Sequence, residues 1–433
     1  MRTSIIAALA AGFLASNSAI AMDKVIATPL AYQDQPLATA TFANGKTMAL
    51  TIGIGSGAFG DRTGTMWTIT DRGPNIDCGE AQELIGLDET ALCGGNKKAK
   101  IFPVPSFTPT IYKLTIGDDG RASIAQAIAL KGRSGAALSG LSNPLQATTT
   151  EGAYDAAGKA LTLTPNGFDS EALVRLSDGS FWLSEEYGGS IAHVAADGTV
   201  MTRYVPAGLE QDYAGADYEV KGALPALVMM RNLNRGIESL AISADEKTLW
   251  FAMQSPLANP DADAYKSSRN VRLFAFDIAS ERVTGEWLYP LDLPETFGKD
   301  NAKKKRKQSD VKVSELAALP DGSLLVLERI SKTTKFYRVR PDAGSIMPAA
   351  FDDKATSPSL EQLDPDSAKA AGAPVLEKTL VLDTDTAEGM PSKIEGIALV
   401  SDRDMILIND NDFGIADDRT EIVRITFPAP LTN

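Results

Sequence analysis

The sequence predicts an all-β protein, a β-propeller of about six blades (five to seven) with loop insertions. Three observations predict it. A phrase recurs four times: small or acidic residue, apolar strand, turn, second apolar strand, polar cluster. Short β-branched and apolar runs, separated by Asp-Gly and similar turns, make up most of the chain. Long amphipathic helical patterns are missing, and short helices are expected only over 79–85 and 367–371.

The recurring units read Asp169-Ser170-Glu171, Gly236-Ile237-Glu238, Val313-Ser314-Glu315 and Ile394-Glu395-Gly396, each followed by two apolar strands. Their glutamates lie 67, 77 and 80 residues apart. A four-stranded blade needs about 40 to 50 residues, so each unit carries an insertion or conceals a further blade. A degenerate early copy has Ser56 in place of the glutamate and continues through Thr65 to Arg72. The strand near Val25 and the last strand, Glu421 to Phe427, are expected to close the ring together.

The chain has 433 residues, 44% of them hydrophobic, enough for one large core. A net charge of −14 and 7% aromatic content argue against nucleic acid or an anionic membrane as partner. Arg2, the apolar run Ile5 to Leu14 and Ala19-Ile20-Ala21 read as an export signal over 1–21, cleaved near Ala21. A single domain over 22–433, periplasmic or secreted, is then expected, with no membrane span. Cys78 and Cys93 suit an exported chain and read as one disulfide within the insertion 75–100.

The glutamates carry the first chemical reading. A residue just before the innermost strand of a propeller sits near the mouth of its central channel. Glu171, Glu238, Glu315 and Glu395 are therefore candidate metal ligands, and hard carboxylate oxygens in an exported protein favour calcium. Each could equally accept backbone N–H groups from a neighbouring blade and staple the ring. The loops after the second strands supply Asp71-Arg72, Glu185-Glu186, Glu328-Arg329 and Asn409-Asp410. Asp71, Arg72, Arg235, Arg269, Arg329, Asn409 and Asp410 are candidate substrate contacts, since guanidinium groups match phosphate and carboxylate. Glu185 or Glu186 is the candidate general base.

Other chemistries lack support. The one histidine, His193, alternates within an outer strand, and no nucleophile elbow accompanies it. Zinc-ligand spacing is absent. Gly53-x-Gly55-x-Gly57 precedes a strand rather than a helix, so it is not a phosphate loop. The run Lys303 to Lys307 reads as a solvated loop.

Taken together, Asp71-Arg72-Gly73-Pro74, Phe168-Asp169-Ser170-Glu171, Ser184-Glu185-Glu186-Tyr187-Gly188, Asn234-Arg235-Gly236-Ile237-Glu238, Ser314-Glu315-Leu316 and Ile394-Glu395-Gly396-Ile397-Ala398 resemble the bacterial phytase-like domain family, "esterase-like activity of phytase". The resemblance runs from about Ala40 to Phe427. It implies an exported propeller with hydrolase activity and kinship with calcium-dependent propeller phytases. The channel-mouth glutamate is also similar to the metal-binding residue of gluconolactonase-type propellers. The expected function is calcium-dependent hydrolysis of a small anionic ester or phosphoester. The alternatives are a lactonase and a non-catalytic propeller that binds a ligand or protein around a structural cation.

Overall fold

The computed structural model describes residues 25–61 and 64–432. The export signal and its cleavage near Ala21 lie outside the described residues. Strands dominate, and the helices are short, Ala81–Ile85 and Pro365–Ala370 among them. Among the described residues no helix is long and apolar enough to cross a membrane.

Five sheets of four or five strands form a ring. Blade 1 contains Gly57–Gly60, Met66–Ile69, Thr110–Ile116 and Ala122–Ala129. Blade 2 contains Ser170–Arg175, Phe181–Glu185, Ser190–Val194, Val200–Pro206 and Glu219–Leu224. Blade 3 contains Ile237–Ile242, Thr248–Met253, Asn270–Asp277 and Arg282–Pro290. Blade 4 contains Lys312–Ala318, Leu324–Arg329, Thr334–Val339 and Lys378–Asp383. Blade 5 contains Ile394–Leu399, Asp404–Asn409 and Ile422–Thr426, and borrows Ile26–Leu30 as its outer strand. Ile26 pairs with Thr426 and Leu30 with Ile422, antiparallel, so the two ends of the chain close the ring as expected.

The first strand of each blade touches the first strand of the next, and blade 5 returns to blade 1. This cyclic contact is what makes the arrangement a propeller. Apolar side chains fill the space between blades. Trp182 and Tyr204 of blade 2 meet Phe276 of blade 3, at ring centroid distances of 5.7 and 5.2 Å. Between blades 5 and 1, Ile406 and Ile408 pack with Met66 and Leu114.

Five large sheets are described, inside the expected range of five to seven and one fewer than its middle value of six. The long stretch before blade 2 explains the difference. Pro36–Thr41 pairs with Thr47–Thr51 as a separate hairpin. Ile76–Asp77, Lys100–Phe102 and Ala153–Asp155 form a small sheet of their own. These pieces share a core with the helices of the insertion: Ala40, Leu50, Ile76, Ile85, Leu92 and Ile101 pack together. Residues that a plain repeat would spend on a blade build a cap beside the ring. The disulfide joins Cys78 to Cys93 within that cap.

One detail of register governs the site. The inner strands of blades 2 to 5 each carry a β-bulge near their start. The bulges lie between Ser170 and Leu173, Ile237 and Ser239, Val313 and Glu315, and Ile394 and Gly396. The extra residue is therefore Glu238 in blade 3, Ser314 in blade 4 and Glu395 in blade 5; in blade 2 the bulge takes in Glu171 and Ala172. Bulges re-aim side chains and are frequent beside active sites.

Candidate functional site

The bulges and the loops after the second strands open into one polar cavity of about 270 Å³. Its wall carries eight carboxylates (Asp71, Asp169, Glu171, Glu186, Glu238, Glu395, Asp410, Asp412) and six cationic groups (Arg72, Lys100, Arg235, Lys312, Arg329, Lys393). A simple positional rule supplies five of these fourteen groups, together with Gln254. The residue two before the bulge is Asp169, Gly236, Lys312 or Lys393, and the residue after the second strand is Glu186, Gln254 or Asp410.

The acids of blade 2 converge. Asp169, Glu171 and Glu186 each offer a carboxylate oxygen, and these oxygens lie within 4.8 Å of one another. All three side chains are buried. Asp169 accepts from the Arg72 backbone N–H at 3.2 Å and pairs with the Arg72 guanidinium at 3.1 Å. Glu186 accepts from Gln254 Nε2 at 2.7 Å, and its backbone N–H donates to the Asp169 carbonyl at 3.0 Å. Glu171 is 8% exposed, and its carboxylate has no hydrogen bond or ion pair among the described residues. Burial, followed by the charges of Asp169 and Glu186, holds the Glu171 carboxyl well above the usual range. Burial and then Glu238 push Glu186 up to about 8. Burial outweighs Arg72 at Asp169, which rises to about 6.

Glycine makes this approach possible. A Cβ on Gly236 would lie 1.9 Å from the Glu186 carbonyl oxygen. Only a residue without a side chain lets the blade 2 loop cross the start of blade 3 and bring Glu186 to the cavity.

Cationic groups line the same cavity. Arg235 donates to Gln254 Oε1 at 2.8 Å and to the Tyr265 hydroxyl at 3.3 Å. Lys312 faces Glu238 at 3.4 Å. Burial, then Arg329, brings the Lys312 amine down to about 8. Arg329 donates to Ser314 Oγ at 2.9 Å and pairs with Glu395. Glu238 accepts from Gln254 and from Ser314 Oγ, the latter at 2.6 Å.

The structure does not bring the four repeated glutamates together as one ligand set. Glu171 joins Asp169 and Glu186. Glu238 and Glu395 line the cavity but are held by Lys312, Ser314 and Arg329. Glu315 leaves the cavity altogether, because the blade 4 bulge falls on Ser314 and a slip of one position turns a strand side chain to the other face. There it accepts backbone N–H groups from Leu316 at 2.9 Å and from Leu240 of blade 3 at 3.2 Å.

Other sequence candidates also sit elsewhere. Glu185, expected as a possible base, is fully buried inside blade 2. It accepts from the Gly188 N–H at 2.8 Å and Ser190 Oγ at 2.9 Å, and pairs with Arg203 at 2.7 Å. Arg269 donates to the Leu291 carbonyl at 2.7 Å and does not line the cavity. Asn409 braces the blade 5 loop, donating to the Arg419 carbonyl at 2.9 Å and accepting from the Glu421 N–H at 2.6 Å. Arg72 lines the cavity but is fully engaged by Glu151 at 2.6 Å, by Asp169, and by the faces of Phe102 and Tyr187. Asp71 and Asp410 do face the cavity. His193 stacks on Trp182 at 5.1 Å and does not line the cavity; its strand Ser190–Val194 is the middle strand of blade 2, not an outer one as expected.

Asp169, Gln254, Lys312 and Lys393 were not among the sequence candidates. The positional rule would have found them, but it depends on the bulges, which apolar patterning does not reveal.

A curated relative, an uncharacterized secreted protein of Arthroderma benhamiae, is 28% identical over 195 residues, which is 42% of this chain and 36% of the relative. The matched region thus spans little more than a third of that relative's length. The solved structure of PQQ-bound aldose sugar dehydrogenase from Streptomyces coelicolor aligns over 93% of this chain and 98% of its own, with TM-score 0.32 and 8% identity. Selenomethionine-substituted virginiamycin B lyase from Staphylococcus aureus aligns over 93% and 99%, with TM-score 0.32 and 11% identity. The family model described as "Esterase-like activity of phytase" matches residues 51–413, most of the length. The chain belongs to this phytase-like family.

Proposed function

We propose that the protein is an exported hydrolase of ester or phosphoester bonds that works with a calcium ion held by Asp169, Glu171 and Glu186. The observation that carries the reading is the Glu171 carboxylate, buried without a partner beside two further carboxylates within 4.8 Å. Like charges at that separation require a proton or a cation. An all-oxygen, all-carboxylate donor set fits a hard divalent ion better than a transition metal.

The bound ion would polarise the substrate's carbonyl or phosphoryl oxygen and lower the pKa of a water. The protein's own groups do the rest. Arg235 and Lys312 line the cavity with the acids and stabilise negative charge that develops on the substrate. Gln254 links Glu186 to Glu238 and fixes the spacing between these two carboxylates. Arg72, locked by Glu151 and Asp169, orients Asp169 rather than touching substrate.

The competing reading is a ring stapled by carboxylates that turns nothing over, and Glu315 favours it by bridging blades 3 and 4. The two are separated by measuring hydrolysis of p-nitrophenyl acetate and p-nitrophenyl phosphate with calcium and then with excess EGTA. Turnover that EGTA reduces to background supports the hydrolase. Calcium binding with no turnover of any ester supports the staple.

A further inference from the structure

Blade 5 contributes a pair of carboxyl groups whose environments differ. Asp410 Oδ1 accepts the Asp412 backbone N–H at 2.9 Å, and both residues line the cavity. Lys393 forms ion pairs with Asp412 and, at 2.6 Å, with Asp418. Asp410 has no ion pair among the described residues, and its backbone is tied to the Lys393 carbonyl by an N–H bond of 2.9 Å. A lysine beside one member of a carboxyl pair holds the negative charge there, which leaves the shared proton on the other member.

The loop is built to hold this arrangement. Asp412, Phe413 and Gly414 are consecutive left-handed residues, with φ of 44°, 54° and 78°, and Lys393 is left-handed as well at 51°. Non-glycine residues in that region persist only when their surroundings enforce them, and such strain gathers at functional sites. Asn411 enforces it by accepting the Phe413 N–H at 3.0 Å and donating to Thr420 Oγ1 at 3.1 Å.

We propose that Asp410 is the proton donor to the leaving group, with Asp412 and Lys393 as positioning residues that keep it protonated. The inference rests on the hydrolase reading. As the ester C–O or P–O bond breaks, the leaving oxygen takes the Asp410 proton. The attacking water bonds to the carbon or phosphorus as hydroxide, and its second proton restores Asp410. The groups that face Asp410 are consistent with this role. Asp71 of the blade 1 loop adds negative charge, and Lys393 and Arg329 pair with other acids. Burial and then Asp412 raise Asp410 to about 8, while the Asp410 hydrogen bond and Lys393 hold Asp412 low against its own burial.

The test compares wild type with D410N and D412N on an ethyl ester and a p-nitrophenyl ester of the same acid. Nitrophenolate leaves without help, whereas ethoxide needs a proton. A general acid contributes on the order of 100-fold or more, so the D410N loss on the ethyl ester should exceed its loss on the nitrophenyl ester by about that factor. D410N should also remove one component of the protonated-carboxyl stretch expected in the wild-type infrared spectrum at neutral pH, leaving the components of the other raised carboxyls such as Glu171 and Glu186. Equal losses on the two esters, or an infrared spectrum that D410N leaves unchanged, overturn the acid role while the hydrolase reading stands. A folded wild type that hydrolyses neither ester sinks both.

Discussion

Ser314 Oγ donates a 2.6 Å hydrogen bond to Glu238 Oε2 across the boundary between blades 3 and 4, while the adjacent Glu315 turns to the other face of the same strand. One residue of register therefore separates a cavity group from a structural staple, and the two glutamates should respond differently to mutation.

Glu315→Ala removes an acceptor for the Leu316 and Leu240 N–H groups. Stranding buried donors costs about 1–3 kcal/mol each. Thermal melting should shift down by several degrees, while the calcium-induced rise in melting temperature stays as in wild type. Loss of that rise would place Glu315 at the cation.

Glu171→Gln should do the reverse. It removes a buried carboxylate that repels Asp169 and Glu186, so the calcium-free protein should melt at the same temperature or higher. Its calcium response should vanish. Saturation at a hundred times the dissociation constant stabilises by about 2.7 kcal/mol, a shift readable in a melting scan of wild type and absent from the variant.

The raised carboxyls make the calcium-free protein sensitive to pH. Glu186 and Asp410 titrate near 8 when folded, far above an unfolded carboxyl. The folded state binds more protons between these limits, so its stability should fall as pH rises from about 5 to 8. Lys312, depressed to about 8, acts with the opposite sign only above that pH. Calcium should flatten the slope below pH 8 by replacing the protons on the blade 2 acids. Denaturant midpoints across this window, with and without the ion, check the sign.

Arg72→Ala leaves Glu151 and Asp169 as buried, unpaired carboxylates. Breaking a buried pair in this way costs about 3–5 kcal/mol, and a urea midpoint should record it. Arg72→Lys should recover little, because one ammonium cannot meet both acids and Ser142 Oγ as the guanidinium does.

Much of the architecture was legible in the sequence. The recurring phrase marks blades 2 to 5, and the pairing of Ile26–Leu30 with Ile422–Thr426 follows from apolar strands at both ends. The count within five to seven blades was not legible, because short strands such as Ile76–Asp77 and Lys100–Phe102 carry the same β-forming residues whether they join the ring or a cap. The site was legible in part. Glu171, Glu186, Glu238, Arg235 and Asp410 reach the cavity because they flank strand ends. Glu315 and Glu185 did not follow, since their direction depends on a bulge and on Arg203, a partner 18 residues away. Lys312 was missed because a lysine at a strand start looks like solvent-facing charge until the fold buries it.

On the proposed reading, Asp169, Glu171 and Glu186 hold a calcium ion that hydrolysis requires. Titration calorimetry of the EGTA-stripped protein with calcium, run beside ester turnover, tests it most directly. The expected result is one site per chain in wild type, no site in Glu171→Gln, and turnover that returns in proportion to occupancy. Calcium binding unchanged by Glu171→Gln, or full turnover in the stripped protein, would contradict it.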